Sequence, residues 1–281
     1  MPSPPRAPLL AALLLAAAGR PSAAFGHDLL SQFAFRQGYT CLNHGSYGSA
    51  PLTVTASAEN FTRWMESCPD AYFRFDVWGP YDAVRARMAA YIGASVNDTV
   101  FVENASNGVN AVLRSLARAA PPGKLFLYLN TAYYMVKMVM SYVEPDNRLM
   151  VNVTQPLSNA AVLAAVRAAL EANKGNVYAA SFSHIVSVPG VILPVKELAA
   201  LCREYGVFSL IDGAHALGHI PVDVVDIGAD AWLGNAHKWF YSPKGAAVLW
   251  VAPDKQSLIE PTVISWEGRG ATHFQLGMYR G

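Results

Sequence analysis

Between residues 99 and 251 the chain alternates between two hydrophobic periods, and this alternation narrows its fold more than any other feature. Apolar runs at 99–102, 125–129, 148–153, 177–182, 207–211 and 246–251 each have the length of a strand. The stretches 107–119, 133–143, 159–172 and 194–205 instead space apolar residues three and four apart, as a helix with one inward face requires. Pro121, Pro145 and Gly206 stop three of these helices. Strands so short and apolar, separated by helices, are buried on both faces. The expectation is an α/β fold of three layers, with a mostly parallel, mixed sheet between two layers of helix. Upstream, 51–68 and 81–92 also read as helices. Val54, Ala58, Phe61, Trp64 and Met65 share a face of the first. Val84, Met88 and Tyr91 are expected to point inward from the second.

In sheets of this kind ligands bind beyond the carboxyl ends of the strands. Asp212 follows the run 207–211, and Lys238 comes 26 residues later, just after a second apolar segment at 231–234. Trp239, Phe240 and Tyr241 flank the lysine. A buried lysine is costly unless it is neutral, paired or covalently used. A carboxylate at a strand end together with such a lysine suits pyridoxal phosphate (PLP). The lysine forms the Schiff base, and the carboxylate keeps the pyridine nitrogen protonated. Read alone, Asp212-Gly213 is also an ordinary turn, and Ser106-Asn-Gly108 an ordinary helix cap.

Three motifs agree in order: Leu42-Asn-His-Gly-Ser-Tyr-Gly-Ser49, Asp212-Gly-Ala-His215 and Asn235-Ala-His-Lys238. On these the chain resembles the class V aminotransferase superfamily of PLP fold-type I, nearest its isopenicillin N epimerase-like branch and related to the cysteine desulfurases. The resemblance implies a PLP-dependent transferase large domain and PLP as cofactor. It implies Lys238, Asp212 and His215 as catalytic residues. Ala105, Ser106 and Asn107 are then expected at the phosphate, with Asn235 and His237 on the same side. Tyr133 matches the ring that stacks on the cofactor, with Tyr134 adjacent. His184 and Ser187 match an active-site loop, and Asn43 and His44 face the substrate.

The implied activity is that of a PLP-dependent enzyme acting on an amino acid, of epimerase, lyase (desulfhydrase) or aminotransferase type. The alternative is a catalytically inactive large-domain fragment acting as a binding or interaction protein. A homodimer is expected of the full-length family. The expected division is a targeting peptide at 1–24, a helical segment at 25–95, the PLP-binding large domain at 96–270 and a truncated tail at 271–281. Arg280, in that tail, is a poor replacement for the family's substrate-binding arginine.

Other classes find little support. The formal net charge of +1 gives no footprint for nucleic acid. No G-x-G-x-x-G follows the first strand. His215 and His219 have zinc-like spacing, but Gly218 and Pro221 oppose a regular helix there. Three cysteines do not make a disulfide framework, and Cys202 reads as core. Arg6, the apolar run 9–18 and the small residues 22–24 resemble a signal peptide, too short to span a bilayer. A secretory or organellar route is expected from it, and a cytoplasmic one if the start lies further along. Sequons at Asn60, Asn97, Asn104 and Asn152 agree with a secretory route, and folding should block modification of Asn104.

Overall fold

The computed structural model describes residues 26–263. The signal-like segment 1–24 and the tail 271–281 lie outside them. The chain divides into two compact units between Thr40 and Cys41. In the first, a 3-10 helix at Gly26–Gln32 leads to Phe33 and Phe35, whose rings stack 5.3 Å apart. Everything below belongs to the second.

Its α-helices, among the described residues, are α1 (His44–Tyr47), α2 (Leu52–Ser67), α3 (Pro69–Ala71), α4 (Trp78–Tyr91), α5 (Ala105–Ala119), α6 (Tyr134–Val143), α7 (Asn159–Ala172), α8 (Val195–Glu204) and α9 (Val224–Ile227). The strands are β1 (Thr99–Val102), β2 (Leu125–Leu129), β3 (Arg148–Val151), β4 (Val177–Ser183), β5 (Phe208–Asp212), β6 (Ala231–Asn235) and β7 (Ala247–Val251). They form one seven-stranded sheet in the order β1-β7-β6-β5-β4-β2-β3. β2 to β6 are mutually parallel, and β7 runs antiparallel to both its neighbours. The fold is therefore the expected α/β sandwich with a mixed sheet.

Alternation along each strand builds two cores. Leu127 and Leu129 point to one face, with Val166 and Leu170 of α7 and Leu198 of α8. Phe126 and Tyr128 point to the other, with Val112 and Leu116 of α5 and Val136 and Met140 of α6. β5, β6 and β7 are buried throughout. That is why they read as largely apolar runs rather than as alternating ones.

Two expectations needed correction. Met88 of α4 is buried, but Val84 is 50% exposed and Tyr91 49% exposed. The inner face instead runs through Arg85, Met88, Ala89 and Ile92. Arg85 lays its apolar stem inward while its guanidinium donates to the Val96 and Thr99 carbonyls and to Asp82. A charged residue thus occupies a core position that a hydrophobic pattern skips. Helix α5 also begins at Ala105, two residues before the expected 107. Asn104 caps it by accepting from the Asn107 N–H at 2.9 Å.

Cys41, Cys68 and Cys202 are free thiols. Cys202 is a core residue whose burial pushes its thiol up to about 12. Among the described residues no helix is long and apolar enough to cross a membrane.

Candidate active site

The parallel register brings three polar strand ends together. Ser183 of β4 lies beside Asp212 of β5, and Asp212 lies beside Leu233, two residues before Asn235. These ends open onto a cavity of about 170 Å³. The Asn104–Ser106 turn, Tyr133, His215, His237 and Lys238 close its other sides. Asp212, His215 and Lys238, expected as catalytic, therefore meet in one place.

Asp212 is 5% exposed, and burial raises its carboxyl above the usual range. The Ala214 N–H, donating to Oδ1 at 3.0 Å, and the nearby Lys238 amine pull it back down. Burial lowers Lys238 in turn, against the attraction of Asp212. Both groups are thus drawn toward their neutral forms by the same loss of water. His215 stands between the lysine and Trp239. Its Nε2 is 3.4 Å from Lys238 Nζ, and its Nδ1 accepts from the Trp239 indole N–H at 3.3 Å. Burial first, then the lysine and His219 charges, push His215 down to about 4.

On the opposite side the N-terminus of α5 meets the cavity. The Ala105 N–H is taken by Asn235 Oδ1 at 2.9 Å, and the Asn107 N–H by Asn104. Asn235 therefore ties the end of β6 to the helix. Ser106, with its N–H and Oγ unpaired among the described residues, is the donor left for an anion. Asn107 itself does not line the cavity. His237 does, and its Nδ1 donates to the Ala246 carbonyl at 2.9 Å. The Asn104 side-chain oxygen is committed to the helix cap.

Tyr133 lines the cavity, whereas Tyr134 points outward, 71% exposed. Ser187 lines it, but His184 does not. His184 is 6% exposed and accepts from the Trp232 indole N–H at 3.3 Å, and burial takes it down to about 4. Asn43 and His44 line an adjoining, larger cavity of about 560 Å³ that shares Ser46, Ile185, Ser187 and His215 with the first. His44 Nε2 donates to the Lys238 carbonyl at 3.0 Å.

Ser46, Ser183 and Met135 were missed in the sequence, although all three line the first cavity. Ser183 had a usable signal, since it ends the strand paired with Asp212. The close approach of the Leu42–Ser49 motif to the lysine loop explains one of its glycines. Gly48 has φ +68°, and a Cβ there would overlap the His237 carbonyl.

This donor set fits PLP. A buried carboxylate with a single backbone hydrogen bond faces the cavity and would be matched by a pyridinium N–H. A lysine amine whose charge is disfavoured by burial faces the same space, and a helix N-terminus with a hydroxyl closes the far end.

Comparison with known proteins agrees. The family profile described as aminotransferase class-V matches residues 71–274. The chain is 33% identical over 247 residues to putative L-cysteine desulfhydrase 2 of Oryza sativa subsp. japonica, covering 82% of this chain and 52% of the relative. It is 30% identical over 229 residues to isopenicillin N epimerase of Streptomyces clavuligerus, covering 80% and 56%. The chain thus spans about half the length of the curated relatives it matches. In fold it is similar to a lysine-to-alanine variant of C-DES solved with glycine covalently linked to its PLP, with a TM-score of 0.73 at 20% identity, covering 84% and 62%. The chain belongs to the class-V aminotransferase family of PLP-dependent enzymes.

Proposed function

We propose that the chain holds PLP on Lys238 as a Schiff base and acts on an L-α-amino acid, with carbon–sulfur lyase chemistry of desulfhydrase type. The observation that carries this reading is the meeting of the Lys238 amine and the buried Asp212 carboxylate at one cavity. The relatives named L-cysteine desulfhydrase favour the lyase outcome, and the epimerase relative keeps epimerisation as the competing one.

When bound, PLP supplies an aldehyde for the amine and a ring that accepts the electron pair released at the substrate's α-carbon. Lys238, held toward its neutral form by burial, provides the nucleophilic nitrogen and then carries the α-proton at Nζ. Asp212 would hold the proton on the ring nitrogen, since its buried carboxylate faces the cavity with one backbone hydrogen bond. Ser106 and the start of α5 would hold and orient the phosphate. His237 and Asn235 hold the lysine loop and the helix start in register. The homodimer expected of the family is part of the same proposal.

The test is sulfide release from L-cysteine, with pyruvate and ammonia followed in parallel and α-proton exchange as the measure of epimerisation. Sulfide and pyruvate in equal amounts, lost in Lys238→Ala, are expected. α-Proton exchange without sulfide would move the assignment to epimerisation. Turnover unchanged in Lys238→Ala would overturn it.

A further inference from the structure

We propose that Trp239 is a positioning residue that fixes the tautomer of His215, and through it keeps the Lys238 amine neutral. The proposal rests on the same site as the PLP reading but not on PLP being bound.

One line of contacts fixes where each proton sits. The indole Nε1–H of Trp239 can only donate, and it points at His215 Nδ1, 3.3 Å away. A nitrogen that accepts carries no proton, so a neutral His215 must carry its proton on Nε2. That nitrogen faces Lys238 Nζ at 3.4 Å. An N–H there is matched by the lone pair of a neutral amine and opposed by an ammonium. The chain of donors, indole to imidazole to amine, thus runs one way and ends on the lysine's lone pair. Protonating His215 would set an Nδ1–H against the indole N–H, so the imidazolium is opposed as well. The other charged or titratable groups at hand are Asp212, His219, His237 and His44. Asp212 pulls the lysine the other way.

The indole is itself held. His219 stacks on it at 4.3 Å and 20°, and His44 lies against it at 5.2 Å. His44 and His219 are anchored to the Lys238 and His215 carbonyls. A ring clamped on these sides cannot turn its N–H elsewhere. This gives a reason for an indole, rather than any apolar ring, immediately after the lysine.

The experiment uses the full chain without added PLP, with imidazole nitrogens followed by nitrogen-15 NMR across pH 5–8. Wild type is expected to show His215 as the neutral Nε2–H tautomer throughout. An Nδ1–H tautomer in wild type would overturn the proposal with no variant needed. In Trp239→Phe, which keeps a stacking ring and removes the N–H, a mixture of tautomers is expected. The pH at which Lys238 begins to react with a small aldehyde, trapped by borohydride, should then rise by roughly one unit. An unchanged tautomer and an unchanged reaction profile in a folded Trp239→Phe would also overturn it. Failure of PLP to bind would leave the NMR result standing, so the two ideas fail separately.

Discussion

At Asp212 the proposed function and stability oppose each other. Its folded-state carboxyl is raised by burial, so its contribution to stability is present at low pH and is lost as pH rises through the folded value. At neutral pH the buried charge is a cost to the protein without cofactor. Asp212→Asn keeps an oxygen for the Ala214 N–H and removes that charge. The cofactor-free variant should be more stable than wild type by about 1 kcal/mol in urea unfolding at pH 7, while losing cofactor-dependent turnover. A less stable variant would mean that Lys238 already compensates the carboxylate. His184 works in the opposite direction. Its folded value of about 4 lies below the ordinary 6.5, so its contribution is complete above 6.5 and is lost as pH falls toward 4. The loss is on the order of 3 kcal/mol. His184→Gln should remove that part of the acid sensitivity, seen as a smaller difference between urea midpoints at pH 7 and pH 4.5.

Among the elements, the turn that leads into α2 and the start of α5 set the geometry of the lysine loop. Gly48 adopts a positive φ where its backbone meets the His237 carbonyl, so Gly48→Ala is both strained and overlapping. A cost of about 1–3 kcal/mol in urea unfolding is expected, together with slower trapping of an aldehyde on Lys238. Unchanged stability would show that the turn is free to move away. The elements themselves were largely legible, because strand runs and helix periods are local signals. The buried face of α4 was not, since Arg85 enters the core through its stem and its hydrogen bonds to Val96 and Thr99. The start of α5 was not, since Asn235, 130 residues away, holds the Ala105 N–H. In the site, Asp212, His215 and Lys238 were legible through their motifs. Trp239 was legible only as a flanking aromatic, because its role depends on the direction of one indole N–H.

For the whole molecule, the sheet order places the functional ends together, and order is a long-range property. β7 lies between β1 and β6 and runs against both, which no local pattern announces. The parallel neighbours β4 and β5 were foreseeable from the alternation of periods, and so was a site at their carboxyl ends, whereas β6 was read only as a short apolar segment at 231–234. We propose that this fold brings Lys238 to a PLP site. The most direct measurement is the visible absorption of the purified chain with added PLP, followed by borohydride reduction and peptide mass mapping. A Schiff-base band and a reduced pyridoxyl adduct on Lys238, both absent in Lys238→Ala, are expected. A folded protein with no adduct, or with adducts spread over exposed lysines such as Lys244, would contradict it.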